Sequence, residues 1–439
     1  MENQRIENII NELIDQYTYA DTSERPWIIG FSGGKDSTVL LTLVWMALKR
    51  IRKKMPSPYQ LRRPVYVVCN DTMVENPIIT EYVEEVLAQI EREARNQELP
   101  IFVKKTIPKI ESTFWVNVLG KGYPVPNNSF RWCTDKLKIR PTSSFISEQV
   151  DFNGEAIILI GARISESATR ARSIKKHEIK GKRLTKHPNH HNTYVYSPIK
   201  DLYLEEVWHI IRTFESPWKF NNTKLVEIYT NASADDYECP TVVTDKSHTS
   251  CGQSRFGCWT CTVVKQDKSM TALIKNGEEW MKPLLMFRDS LEKERNVSEN
   301  RMATRRNGQP AVTVDGHRQG NYEPFYRAKK LRELLELQKE VQKTKPLIEL
   351  ITNQELIAIQ VYWYRDGIFD FKVGEIFAKI YGRDIETENA NIENSIEKRL
   401  LKTACNENEK DYELINNLLT LQHSKNLILT NYRFYKIAC

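Results

Sequence analysis

Between a short apolar run and an amphipathic stretch near the start of the chain stands Ser32-Gly33-Gly34-Lys35-Asp36-Ser37, the segment that most restricts the fold. Trp27 to Phe31 before it is β-branched and aromatic, and Thr38 to Arg50 after it carries apolar residues at helical spacing, so the hexapeptide joins a strand to a helix. At such a junction backbone N–H groups and the helix dipole hold an anion. The glycines let backbone approach the ligand, Lys35 adds a point charge, and the Ser32 and Ser37 hydroxyls add donors. Two common phosphate loops are excluded: Asp36 rather than Ser or Thr follows Gly34-Lys35, Ile29 stands where the first P-loop glycine belongs, and there is no G-x-G-x-x-G.

The strand and helix pattern repeats. Val65 to Cys69, Ile101 to Lys105 and Ile157 to Ile160 read as further strands, and Ile78 to Arg95 as a second crossover helix. The expected fold class is α/β, a parallel sheet built from βαβ units. Beyond Pro217 the alternation gives way to a polar, cysteine-bearing stretch to Val264, then to charged sequence with helical patterns at Glu323 to Lys343, Asn353 to Tyr364 and Ile392 to Ala404. Glu386 to Asn391 reads as a polar surface loop. The expected organisation is a nucleotide domain over residues 1–217, a cysteine-rich segment over 218–286 and a helical, charged region over 287–439.

No apolar run is long enough for a membrane span and Met1 to Arg5 is polar, so the expected location is the cytoplasm, with no membrane partner. A net charge of +7 favours a polyanionic partner without requiring one. The basic residues cluster from Arg163 to Lys186 and from Arg301 to Arg306, where they either track nucleic-acid phosphates or form solvated faces. His187, His190 and His191 invite a metal-site reading, but in a basic surface loop they read as a solvated group; Tyr322 to Tyr326 offers a partner-docking segment, with local packing the simpler account.

Cys251, Cys258 and Cys261 lie in one turn-rich segment whose glycines permit the curvature a metal needs. Cys133 is the leading fourth ligand, because it begins a helix whose dipole favours the thiolate. Four cysteinates hold either Zn²⁺ or a [4Fe–4S] cluster, and a redox pair at Cys258 and Cys261 is a third reading. Cys239 is a substitute ligand or sulfur-handling thiol; Cys69, Cys405 and Cys439 read as packing.

The hexapeptide resembles the pyrophosphate-binding loop of the PP-loop ATP pyrophosphatases (adenine nucleotide alpha hydrolase-like), the superfamily of PAPS reductases and tRNA-thiolating enzymes. Asp71-Thr72 resembles the acidic tip after the second strand of PAPS reductases, and Arg131-Trp132-Cys133 to Lys136-Leu137-Lys138 their Cys-x-x-x-Leu-Lys segment. Gly161-Ala162-Arg163 through Glu166-Ser167 and Arg170 is similar to their Gly-x-Arg-x-x-Glu-Ser-x-x-Arg run. Tyr196 to Asp201 with Glu205 to Trp208 looks like the closing strand and helix. The stretch Glu238-Cys239-Pro240 through Cys261 to Lys268-Ser269-Met270 resembles the DndC/SspD-type sulfurtransferases of bacterial DNA phosphorothioation.

That resemblance implies ATP cleaved to AMP and pyrophosphate, a [4Fe–4S] cluster on Cys133, Cys251, Cys258 and Cys261, a cysteine desulfurase as sulfur donor, DNA as acceptor, and other DNA phosphorothioation subunits as partners. Ser32, Gly33, Gly34, Lys35, Asp36, Ser37, Arg163 and Arg170 would bind nucleotide, with Lys35, Asp36, Asp71 and Arg163 in catalysis and Mg²⁺ placed by Asp36 or Asp71. A sulfonucleotide reductase and a non-catalytic, nucleotide-gated scaffold for DNA or partner proteins are the competing readings.

Overall fold

The structure, a computed structural model, describes residues 2–18, 24–54, 61–179, 181–232 and 257–385. The chain separates into two compact units, Met1–Arg383 and Asp384–Cys439, and every element named below belongs to the first.

Strands β1 Trp27–Gly30, β2 Val65–Asn70, β3 Ile101–Thr106, β4 Ala156–Leu159, β5 Thr185–Lys186 and β6 Thr193–Tyr196 form one sheet in the order β3-β2-β1-β4-β6-β5. All neighbours are parallel except the edge pair β5 and β6. Parallel neighbours need crossovers, and helices α2 Lys35–Lys54 and α3 Pro77–Asn96 supply the first two. Helix α1 Glu2–Thr18 precedes the sheet, α4 Arg140–Asn153 leads into β4, and α5 Ala168–His177 follows it.

Every position of β1 is buried, as in a strand covered on both faces. Ile28 packs with Val68, Ile158 and the α4 side chains Phe145 and Ile146. Trp27, pointing to the opposite face, meets Tyr17 of α1 at 5.3 Å and Tyr196 at 6.5 Å between ring centroids. Strand order reverses at β1, so a crevice opens between the carboxyl ends of β1 and β4.

The remaining helices are α6 Leu204–Thr213, α7 Thr223–Ala232, α8 Lys268–Lys275, α9 Lys282–Glu294, α10 Pro324–Thr344, α11 Asn353–Arg365 and α12 Val373–Tyr381. Of these, α10 and α11 are keyed to the sheet domain through a wide π turn at Val116–Gly120. The indole N–H of Trp115 donates to Leu350 O at 2.7 Å, that of Trp363 to Leu119 O at 2.8 Å, and Arg327 Nη1 to Gly120 O at 3.1 Å. All three donors are buried, so these bonds form away from competing water. Among the described residues no helix is long and apolar enough to cross a membrane.

The expected α/β class and the helical character of the later sequence both hold, with element ends moved by a few residues. The helix expected from Thr38 starts at Lys35, because the polar Lys35, Asp36 and Ser37 are buried in its first turn and so interrupt the apolar period without ending the helix. The closing strand ends at Tyr196 rather than running on from it. Helix α5 was hidden in the basic cluster, since none of its residues is buried and it has no apolar face to give a period. Glu386 to Asn391, Ile392 to Ala404, Cys405 and Cys439 lie outside the described residues.

Candidate active site at the carboxyl edge of the sheet

Phe31 continues β1 with a bond from its N–H to Val68 O, and the chain then turns sharply into α2. Gly33 makes the turn at φ +74°, and a Cβ there would stand 2.6 Å from Val83 Cγ2 of α3, so both backbone sign and space demand glycine. The loop is closed by its own hydroxyls. Ser37 Oγ donates to Gly34 O at 3.0 Å and lies 3.2 Å from Ser32 Oγ, while Ser32 N donates to Ser37 Oγ at 3.3 Å. Lys35 N donates to the hydroxyl of Tyr229 on α7 at 3.2 Å.

Lys35 and Asp36 are buried, with Lys35 Nζ 3.4 Å from Asp36 Oδ2. Arg163, on the turn after β4 and 1% exposed, reaches across the crevice to place Nε 2.5 Å from Asp36 Oδ1. Its Nη1 donates to Ser165 Oγ at 3.0 Å, and Ser165 in turn to Leu202 O at 3.0 Å. The β4 turn comes this close because Gly161 has no side chain: a Cβ would lie 3.0 Å from the Asp36 carbonyl. Lys35, Asp36 and Arg163 thus form a buried charged triad at the switch point, in which the carboxylate bridges two cations. Asp36 in this arrangement holds Arg163 in place rather than facing open space.

Asp71 follows β2 and does not join the triad's bonds. Its Oδ1 accepts from Met73 N at 2.8 Å and its Oδ2 lies 3.5 Å from Lys105 Nζ. The first bond holds Met73 at φ 63°, a left-handed turn for a side-chain-bearing residue. Arg170, on α5, lies 3.7 Å from Glu166 one turn earlier.

The second loop of the site is Cys258-Trp259-Thr260-Cys261. It docks on the tip of β2: Glu75 and Cys258 form an antiparallel bridge, and Trp259 N donates to Val74 O at 3.0 Å. Trp259 is buried against Trp115 at 5.9 Å and Phe287 at 6.1 Å. Arg288 of α9, fully buried, collects the loop's carbonyls: Cys261 O at 2.7 Å, Lys265 O at 2.8 Å, and Val264 O. Cys258 Sγ lies 3.4 Å from Thr72 Oγ1, which also donates to Glu75 Oε1 at 3.0 Å. Burial and the neighbouring Glu75 carboxylate push the Cys258 thiol well above its ordinary pKa, against a smaller pull from Lys138. Lys138 Nζ stands 3.7 Å from Glu75.

Cys133 sits, as expected, at the head of a helical run, entering the wide turn Thr134–Ile139 that continues into α4. Cys133, Cys258 and Cys261 are in no disulfide, and Cys69 is buried in β2 as packing. Cys239 and Cys251 lie outside the described residues, and among the described residues no three His, Cys, Asp or Glu side chains gather as a metal-holding set.

Two expectations are corrected. His187 is not solvated: it is buried, its Nδ1 accepts the N–H groups of Asn189 and His190 at 3.1 Å each, and burial with the nearby His190 and His177 pushes its pKa down to about 4. It caps a turn as a neutral ring. Arg301 does not track phosphates either, because it is buried with Nε donating to Gly320 O at 2.6 Å, Nη1 to Arg295 O at 2.8 Å and Nη2 to Gln319 O. Tyr322 and Tyr326 are packing as expected, both buried with rings 4.6 Å apart.

Sequence reasoning missed Tyr229 and Arg288. Tyr229 carries no local motif. Arg288 had a signal, an arginine inside the apolar stripe of Leu284, Phe287 and Leu291, all buried on α9.

A curated relative, an uncharacterized protein of Methanocaldococcus jannaschii, is 30% identical over 179 residues, 41% of this chain and 28% of that protein. The chain thus spans less than a third of that relative's length. Among solved structures, PAPS reductase from Candida auris in complex with phosphate shares 12% identity over 47% of this chain and 84% of its own, with a TM-score of 0.29. U34-tRNA thiolase NcsA from Methanococcus maripaludis with its [4Fe-4S] cluster shares 12% over 67% and 79%, with a TM-score of 0.30. NH3-dependent NAD synthetase from Campylobacter jejuni shares 12% over 67% and 94%, with a TM-score of 0.32. The model of the phosphoadenosine phosphosulfate reductase domain matches residues 26–264, more than half of the 439 residues and both loops of the site, and the chain belongs to that family.

Proposed function

We propose that the protein is an ATP pyrophosphatase and sulfurtransferase that adenylates a DNA backbone phosphate so that sulfur replaces a non-bridging oxygen. The observation that carries this reading is the docking of the Cys258–Cys261 loop on the tip of β2, at the same carboxyl edge as the Ser32–Ser37 loop. A nucleotide-activating loop and a pair of thiols on one sheet edge suit an activated phosphate that meets sulfur.

A phosphodiester oxygen is a very poor leaving group, and adenylation turns it into part of a good one. A non-bridging oxygen of the DNA phosphate attacks the α-phosphorus of ATP, the bond to the bridging oxygen breaks, and pyrophosphate leaves with Lys35 and the loop N–H groups stabilising its charge. Arg163, fixed by Asp36 and Ser165, points its charge at the switch point where the triphosphate would lie. Sulfide, released when a thiol reductant takes the outer sulfur from a cysteine desulfurase persulfide and is itself oxidised to a disulfide, then attacks the DNA phosphorus. The P–S bond forms as the P–O bond to the adenylate breaks, and AMP departs with the original oxygen. Mg²⁺ would neutralise the departing pyrophosphate, and of the two predicted carboxylates Asp71, the more accessible, would hold it. Cys133, Cys251, Cys258 and Cys261 would hold a [4Fe–4S] cluster, which would serve to hold or reduce the incoming sulfur.

The test is to supply anaerobically purified protein with ATP, Mg²⁺, DNA, a thiol reductant and a desulfurase loaded with cysteine. AMP, pyrophosphate and phosphorothioate-linked dinucleotides in the digested DNA are expected; ADP and phosphate, or DNA without sulfur, would sink the proposal. The family match also favours a second reading, reduction of a sulfonucleotide, which predicts sulfite release from adenylylated sulfate without DNA.

A further inference from the structure

Three cations surround the ring of Tyr362 on α11: Lys121 Nζ lies 4.8 Å from its centroid, the Arg365 guanidinium 5.4 Å and the Arg306 guanidinium 5.5 Å. Beside them Lys136 stands 5.2 Å above the ring of Tyr123. Lys121, Tyr123, Lys136 and Tyr362 are half-buried, while Arg306 and Arg365 are exposed. Four separate stretches of chain therefore converge their positive charge on two adjoining aromatic rings.

Asp366 meets the Arg306 charge but is divided between two arginines. Asp366 is engaged by Arg306 at 2.8 Å and by the buried Arg327 at 3.0 Å, and Asp135 is engaged by Arg140 at 2.7 Å. Glu111 opposes Lys121 from an exposed position, and its carbonyl accepts from Lys121 Nζ at 2.5 Å. Burial, then Lys136 and Arg306, with a smaller push from Arg365, bring the Lys121 ammonium down to about 8; burial and Arg140 lower Lys136 as well. Like charges held together against their repulsion cost folding energy, and a surface that keeps them is one that an anion completes.

We propose that Lys121, Lys136, Arg306 and Arg365, arrayed on Tyr123 and Tyr362, grip the phosphate backbone of a nucleic-acid strand. The choice of polymer rests on the function proposed above; the gathering of cations does not. Carried on four separate stretches of chain, they suit consecutive phosphates of a strand better than one small anion. Lys136 lies in the same helical turn that Cys133 enters, so a strand held here borders the cysteine-bearing edge of the site.

The test uses the full chain and labelled single- and double-stranded oligonucleotides in fluorescence anisotropy over a salt series. For Lys121→Gln with Lys136→Gln, affinity at about 0.1 M salt is expected to fall at least tenfold, and the slope of log K against log salt to lose about two. Adding Arg365→Gln should remove about one more. Lys121→Gln alone should raise the thermal midpoint at pH 7. Its folded pKa lies below the ordinary 10.5, so the unfolded chain binds that proton more tightly and the charge destabilises the fold below pH about 8. Unchanged affinity and slope would overturn the proposal. So would variants that lose inorganic phosphate binding yet hold the oligonucleotide normally. Normal oligonucleotide binding with no sulfur transferred would count against the proposed function and leave this surface standing.

Discussion

The phosphate loop and the cysteine loop reach the same edge of the sheet and are held there by opposite means. Ser32 to Ser37 is fastened mainly by its own residues: hydroxyl and carbonyl partners within five positions, with Arg163 and Tyr229 arriving from outside. Cys258 to Cys261 is closed by a bond from Cys261 N to Cys258 O at 3.0 Å and is held from outside by Thr72, Val74, Trp115, Phe287 and Arg288. A loop that carries its own geometry keeps it when its surroundings change. A loop held by distant side chains moves with them, so the position of Cys258 depends on the packing of α9.

The strongest way to break this contrast is Arg163→Ala. It leaves Asp36 with Lys35 alone and uncovers a buried carboxylate, a loss of about 3–5 kcal/mol. Denaturant unfolding measures that loss, and ATP cleavage should fall below detection. If stability and AMP formation both survive, the triad neither fastens the loop nor meets the nucleotide.

Arg288→Met is the matching change at the second loop. It removes the donors to Cys261, Val264 and Lys265 carbonyls and leaves three acceptors buried, about 3 kcal/mol after partial relaxation. The contrast predicts a split outcome: nucleotide affinity within twofold of the unchanged protein, but faster thiol labelling at Cys258 as its loop loosens. Equal damage to nucleotide binding would show that the two loops are one mechanical unit.

The same division explains what could be read from sequence. Ser32 to Ser37, Arg163 and the strands around them were legible because their geometry follows from short-range order: a strand, two glycines, a lysine, a helix, then a second glycine turn after β4. Tyr229 was not, since its bond to Lys35 joins residues 194 apart with no pattern between them. His187 looked solvated because basic and polar neighbours surround it, yet its ring is drawn inward to accept two backbone N–H groups. The same holds for Arg301, whose partners are carbonyls and leave no trace in side-chain chemistry. Charge in sequence says how many cations there are; only packing says which of them reach solvent.

A smaller effect, on the phosphate loop alone, is expected from Gly33→Ala. The methyl would meet Val83 Cγ2 at 2.6 Å in a backbone region that costs a side chain about 1 kcal/mol, for a total of about 2 kcal/mol once α3 gives way. Adding Val83→Ala relieves the clash but not the backbone sign, so the double variant should recover roughly half the loss. Full recovery would mean that φ at Gly33 is free to change, and the loop's self-built geometry would then be overstated.

The mildest test is Tyr229→Phe, which keeps the ring beside Lys35 Nζ, 5.4 Å from its centroid, and removes only the hydroxyl that accepts from Lys35 N. If phosphate replaces that hydroxyl on binding, the bond contributes to the empty loop and not to the complex. The variant should then be less stable by about 1 kcal/mol without nucleotide and bind ATP no worse, or slightly more tightly. Thermal midpoints with and without ATP separate the two cases. A gap between them that narrows in the variant would place the Tyr229 hydroxyl among the groups that hold the nucleotide, and the phosphate loop would then share the cysteine loop's dependence on a distant helix.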